Sequence, residues 1–280
     1  MIMKRLLVTF TLVILSIFTS IAQVFVSTTP ENKNVILEEF TGIYCGYCPD
    51  GHLIAQNYQN LHPDDVVLIK IHSGGYAVPQ GSDPDYQTIF GAAIESQADV
   101  AYYPSGTVNR HLFPGNTETA IGRSEWANAG DVILSESSPV NTWGSAEIDL
   151  GTNTLTVDVQ LYYTGSQTIS TNSLHVAVLQ NNVEGPQSGM SLNPSNILPN
   201  GNYNHQHMLR HLITGQWGET ISNISQGAMY MNQFTWNIPS DINGVAVDPT
   251  NLEVAVFVSE GNQEILSGSM AGRNIIFPNT

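Results

Sequence analysis

Two nearly continuous apolar runs, Val35-Ile36-Leu37-Glu38-Glu39-Phe40 and Val66-Val67-Leu68-Ile69-Lys70-Ile71, stand out along the first half of the chain. Runs of this length without alternation are typical of parallel strands covered on both faces. Between them Leu53, Ile54, Tyr58 and Leu61 recur at helical spacing, and His62-Pro63-Asp64-Asp65 closes that pattern. Strand, helix and strand in this order predict a right-handed βαβ crossover. A Gly-, Ser- and Pro-rich loop follows over 72–84, then a predicted helix over 85–98 and a short strand over 107–113. A further helix is expected over 117–137, after the Pro114-Gly115-Asn116 turn.

From Pro139 onward the period shortens to two. Ala146-Glu147-Ile148-Asp149-Leu150 and Leu155-Thr156-Val157-Asp158-Val159-Gln160-Leu161 alternate apolar and polar positions across a Gly151-Thr152-Asn153 turn. Strand-like runs recur at 174–179, 207–213, 228–238, 252–258 and 265–269, separated by Gly, Asn and Pro. Short, turn-bounded strands of this kind predict an all-β, immunoglobulin-like sandwich. The reading is therefore an α/β domain over 23–138 followed by a sandwich over 139–280.

Residues 1–22 stand outside this scheme. Lys4 and Arg5 precede an apolar stretch, and Ser20-Ile21-Ala22 supplies small residues before Gln23, which reads as a cleaved signal peptide. The apolar stretch is short for a bilayer span, so an uncleaved anchor is the weaker reading. The mature chain is expected to be exported, to the periplasm, the outer membrane or the medium, with no transmembrane segment. A formal net charge of −16 argues against nucleic acid or an anionic membrane surface as partner.

Export normally brings structural disulfides, yet the chain holds only two cysteines, Cys45 and Cys48, in Cys45-Gly46-Tyr47-Cys48. A disulfide between them closes a very short loop and constrains the unfolded chain little. Their place, after a strand and at the start of a helix, favours chemistry. Unpaired N–H groups and the helix dipole stabilise a thiolate there. A redox couple, an inert link and a metal site all use this spacing, and His52 is the nearest further ligand.

The stretch Glu39-Phe40-Thr41-Gly42-Ile43-Tyr44-Cys45-Gly46-Tyr47-Cys48 resembles the active-site segment of thioredoxins. That resemblance implies a thioredoxin-like fold for 23–138, with Cys45 as attacking thiol and Cys48 as resolving thiol. It further implies that Glu39 relays a proton to Cys48 and that Tyr44 covers the site. A cis-proline opposite the cysteines is implied at Pro104, where a substrate chain would align, with Tyr103 before it. The residues themselves agree on one point: a carboxyl in an apolar strand should have a raised pKa, unless Glu39 lies on a solvated edge. Asp50 and Glu39 also place negative charge near the pair, which favours a reductase or isomerase over a strong oxidant.

Wider segments, Tyr103-Pro104-Ser105-Gly106-Thr107-Val108-Asn109-Arg110, Asn204-His205-Gln206-His207-Met208-Leu209-Arg210 and Gly215-Gln216-Trp217-Gly218-Glu219, resemble the outer-membrane-protein-28-related family. That family implies an exported bacterial protein with a thioredoxin-like domain, a β-sandwich and possible outer-membrane association. His205, His207 and His211 would share one face of an uninterrupted strand and invite a metal reading; sheet packing explains them equally well. His72 and Arg110 are read as structural partners near the cysteine edge. The expected function is an exported thiol–disulfide oxidoreductase acting on protein thiols or disulfides, with no cofactor and no resident metal. The alternatives are a non-enzymatic envelope scaffold and, more weakly, copper or zinc handling.

Overall fold

Two strands buried at every position run side by side through the centre of the molecule, whose computed structural model describes residues 23–278. The expected signal segment, 1–22, lies outside the described residues. Strand β1 (Val35–Thr41) leads into helix α1 (Cys48–Leu61), which returns the chain to β2 (Val66–His72). The two strands pair in parallel, from Val35 opposite Val66 to Thr41 opposite His72. Helix α2 (Gly91–Ala98) and strands β3 (Ser105–Val108) and β4 (Ala120–Gly122) follow, then helix α3 (Trp126–Leu134). Strands β3 and β4 extend the sheet antiparallel beyond β1, giving the order β2-β1-β3-β4.

The helix expected over 117–137 is divided. Ala120-Ile121-Gly122 pair with β3 instead, and α3 starts only at Trp126, whose indole donates to the Ile121 carbonyl at 3.1 Å. Backbone pairing across the sheet overrides a local helical pattern here.

The second half adds β5 (Val140–Asp149), β6 (Thr154–Tyr163), β7 (Asn172–Gln180), β8 (Val183–Gly185), β9 (Tyr203–His205), β10 (Met208–Leu212) and β11 (Glu219–Ile221). It ends with β12 (Met229–Asn237), β13 (Asp241–Ile242), β14 (Val245–Ala246), β15 (Leu252–Ser259), β16 (Ile265–Met270) and β17 (Gly272–Ile276). Strands β12-β6-β5-β17 make one four-stranded sheet. The facing layer is not a sheet of its own. Strands β16-β15-β7-β10 continue directly into β2-β1-β3-β4, with β11 on β7, as one nine-stranded sheet. Met208 of β10 pairs in parallel with Lys70 of β2, and the Lys70 N–H donates to the His207 carbonyl at 2.8 Å. The sandwich expected after Pro139 therefore shares a layer with the first half instead of standing free. The protein is mostly β-sheet, with three α-helices among the described residues.

Alternation along β1 distributes its side chains to two cores. Val35 and Leu37 pack with Tyr58, Trp126 and Ile133 beneath α1 and α3. Ile36 and Phe40 pack with Ile94 of α2 and with Leu209 and Phe257 from the second half. A third core, including Val157, Leu161, Tyr163, Val176 and Leu252, fills the space between the two sheets.

Burial on both faces leaves no edge for the two glutamates of β1. Glu38 is met by Arg110, which donates from Nε at 2.7 Å and Nη2 at 2.6 Å, and by the Thr107 hydroxyl at 3.0 Å. Arg110 has a φ of 48°, and its guanidinium lies 5.9 Å from the Phe257 ring centroid. This buried pair ties β1 to the chain just after β3, and Arg110 reaches the second half by donating to the Asn262 carbonyl at 3.4 Å. Arg110→Leu is expected to cost about 3–5 kcal/mol, because it strands a buried carboxylate. Urea unfolding checks this, and the double variant Glu38→Gln/Arg110→Leu is expected to recover most of the loss.

Candidate functional site

Where β1 ends, the chain turns tightly under a second loop. A Cβ on Gly42 would fall 2.4 Å from the Tyr76 carbonyl carbon and oxygen, so the turn requires glycine. The Cys45 N–H donates to the Gly42 carbonyl at 3.0 Å, and the Cys48 N–H to the Cys45 carbonyl at 3.3 Å. Helix α1 then begins at Cys48 with Pro49 in its first turn, where a missing N–H costs nothing. Cys45 and Cys48 are joined as a disulfide with Cα atoms 5.4 Å apart. Cys45 is only 3% exposed and Cys48 not at all, whereas Tyr47 between them is 65% exposed. Cys45 is the less buried of the two, yet both cysteines are shielded.

Beneath the pair lies a buried polar cluster. Glu39 is enclosed, and neither carboxyl oxygen has a hydrogen-bond partner. Burial pushes its pKa up to about 8, against the opposing pull of Lys70, its neighbour across the β1–β2 ladder. Burial in turn lowers the pKa of Lys70. The solvated-edge alternative for Glu39 does not hold, because β1 is a central strand.

The His52 Nε2 lies 3.6 Å from Glu39 Oε1 and 3.0 Å from the Thr41 hydroxyl. Its Nδ1 meets the Tyr203 hydroxyl at 2.9 Å, which itself accepts from the Asn193 amide at 3.0 Å. With Asn193 donating to it, the Tyr203 O–H is free to donate to Nδ1, leaving the imidazole proton on Nε2 facing Thr41 and Glu39. Burial holds His52 well below its ordinary pKa and keeps it neutral. Gly51 sits between Glu39 and Pro104: a Cβ there would lie 2.7 Å from Glu39 Oε1 and 3.1 Å from the proline ring. Pro104, which follows a cis peptide bond, thus packs against α1 one turn after Cys48.

The other expected residues are placed differently. Tyr44 turns towards the 80–83 loop, donating to Asp83 at 2.6 Å and accepting from the Gln80 N–H at 2.7 Å. Tyr103 donates to Glu95 and packs edge-on against Tyr76. His205, His207 and His211 do not share a face. His205 ends β9 in a separate hairpin, His207 adopts a φ of 53° between strands and pairs with Glu253, and His211 stacks on Trp236. Among the described residues no group of three His, Cys, Asp or Glu is arranged to hold a metal.

His205 instead joins His72 and Tyr86 in an aromatic cluster with ring centroids 4.9–5.4 Å apart. Lys70, Tyr203, Asn193 and the segment around Gln187 escaped sequence reasoning as parts of the site. Only Lys70 carried a signal, as the one charge in an apolar run.

The family model for "Outer membrane protein Omp28" matches residues 91–269. The chain belongs to this family. Consistent with that membership, it is an exported, envelope-associated protein. No helix among the described residues is long and apolar enough to cross a membrane.

Among solved structures, HBP35 of Porphyromonas gingivalis is similar at 18% identity and a TM-score of 0.66, covering 90% of this chain and 80% of that one. Protein AGR_C_4864 from Agrobacterium tumefaciens is similar at 12% identity and a TM-score of 0.52, covering 89% and 99%. At such identities the likeness is one of fold alone. No curated protein matches the chain. The Omp28 match includes Pro104, Gln187, Asn193 and Tyr203 and excludes Glu39, Cys45 and Cys48.

The Glu39 shift has a measurable consequence. Between the unfolded carboxyl pKa and about 8, the unfolded chain releases a proton that the native state keeps, so stability falls as pH rises. Glu39→Gln is expected to exceed the wild type in stability by on the order of 3 kcal/mol at pH 8. The gain should shrink towards zero near pH 4.5. Denaturant unfolding at the two pH values checks this, and an equal gap at both would refute it.

Proposed function

We propose that this protein is an exported thiol–disulfide oxidoreductase, a reductase or isomerase of envelope or secreted proteins, with a thioredoxin-like first half. One observation carries the reading: a bonded cysteine pair at the start of α1, with a buried, unpaired carboxyl of pKa about 8 lying against Gly51 one turn further along the same helix. The sheet order β2-β1-β3-β4, with α1 and α3 against one face, supports the thioredoxin-like assignment.

In the reducing direction the Cys45 thiolate attacks a partner disulfide and forms a mixed disulfide, and one partner sulfur leaves as thiolate. Cys48 then gives its proton to the Glu39 carboxylate and attacks Cys45 Sγ. The partner's second sulfur leaves, and two electrons have passed from the dithiol to the partner. The N-terminus of α1 stabilises the Cys45 thiolate. His52, with its proton on Nε2, faces the Glu39 carboxylate until the proton from Cys48 neutralises it. Pro104 is buried against Gly51, one turn after Cys48, and would align a partner chain once that surface is uncovered.

A second reading, a binding scaffold on the same fold, is favoured by the shielding of both sulfurs and by the family match that leaves them out. The reduction potential of Cys45/Cys48 separates the two. A value between about −120 and −270 mV is expected, and one below about −300 mV would mark a structural bond and favour the scaffold. In a single-turnover assay Glu39→Gln is expected to slow decay of the mixed disulfide about 10²-fold, with alkylation of Cys45 unchanged. Equal slowing of both steps would remove Glu39 from the proton transfer.

A further inference from the structure

A segment from the other half of the molecule is packed on the cysteine loop. Strands β8 and β9 pair as a hairpin, and the segment joining them, residues 186–202, crosses over the cysteine loop. Its backbone and one side chain attach to that loop at successive points. The Ser188 N–H donates to the Ile43 carbonyl at 2.7 Å. Gln187 donates from Nε2 to the Cys45 carbonyl at 3.1 Å and the Gly42 carbonyl at 3.3 Å. Gly189, at a φ of +68°, is pressed so closely on Gly46 that a Cβ would fall 1.8 Å from its carbonyl oxygen. Asn193 closes the far end through Tyr203 and His52.

The same segment is thin and wet on its outer side. Ser188, Gly189, Ser191 and Leu192 are exposed, and its two short 3-10 turns, Met190–Leu192 and Pro194–Asn196, bury no residue. The Gln187 Oε1 is buried without a partner. A long connection held by a few polar contacts, with no apolar anchor in its turns, belongs to the least stable parts of a fold. The central sheet beside it is packed on both faces.

Thiol–disulfide exchange requires an incoming thiolate to reach a sulfur in line with the bond that breaks, so access governs its rate. We infer that residues 186–193 are a lid over the Cys45–Cys48 disulfide, and that a partner thiol reaches Cys45 only when this lid lifts. The inference rests on the exchange activity proposed above. In the gated step a partner dithiol supplies the thiolate that attacks Cys45 Sγ. The Cys45–Cys48 bond breaks, Cys48 leaves as thiolate and is protonated. The partner's second thiolate then releases Cys45 and forms the partner's disulfide.

The test is the rate at which dithiothreitol reduces the disulfide in the full chain, read by quenched alkylation and mass shift. Two variants loosen the lid without touching the cysteine motif. Gly189→Ala forces the segment off Gly46, and Gln187→Ala removes both of its bonds to the cysteine loop. Each is expected to be reduced at least tenfold faster than the wild type. If Gly189→Ala does not unfold cooperatively, Gln187→Ala decides alone.

Wild-type rates in the folded variants would overturn the lid. The reduction potential of the same samples keeps the two proposals apart. Faster reduction with a potential typical of structural disulfides would uphold the lid and reject the exchange activity. An unchanged rate with a working redox potential would do the reverse.

Discussion

Strand β1 has to bury two consecutive carboxyl groups, one on each face, and the surrounding structure resolves the two in opposite ways. Glu38 receives a two-pronged guanidinium from Arg110 and a hydroxyl from Thr107, so its charge is compensated in place. Glu39 receives no hydrogen bond at all, only Lys70 on the next strand and the Nε2 edge of His52. The first arrangement anchors the strand to β3 and the residues just after it. The second leaves a carboxyl with a pKa of about 8 against Gly51 of α1, one turn after Cys48. Adjacent, chemically identical residues thus become a compensated ion pair and an uncompensated carboxyl, because their side chains point into different environments.

That division depends on the sheet being continuous. Because β10 pairs with β2 at Met208 and Lys70, the second half is locked in register against the first. The chain just before β10 is then carried over the N-terminal end of α1, bringing Tyr203, Asn193 and Gln187 to the cysteines. A flexible tether between two separately folded domains would hold none of these groups at hydrogen-bonding distance. The second half is better described as part of the site than as an appendage to it. Its share of the Omp28 family match, which covers the whole covering segment, fits that view.

Much of the framework was legible in the residues. The apolar runs of β1 and β2, the helix between them and the alternating strands β5 and β6 were foreseen from periodicity, because each buries its own pattern against whatever lies beside it. The cysteine pair at the start of α1 was likewise readable from local chain order, whereas the place of Pro104 came from the resemblance to thioredoxins. Strand β4 was misread as helix, and β17 was overlooked, because edge pairings are decided by a neighbouring backbone and not by side-chain periodicity. The three histidines failed as a shared ligand set because His207 takes a left-handed turn between β9 and β10, invisible to a spacing count.

The sequence by itself determined which segments are buried strands, where the helix begins and which two sulfurs can bond. These follow from local period and short chain separation, and they need no knowledge of the rest of the molecule. Only the tertiary structure decided that Glu38 is paired while Glu39 is not, that one sheet runs through both halves, and that residues 186–193 close over the disulfide. Each of those outcomes joins residues far apart in the chain. Their energy comes from desolvation and from hydrogen bonds, backbone and side-chain, whose partners only the fold selects, so nothing in the one-dimensional pattern marks them in advance.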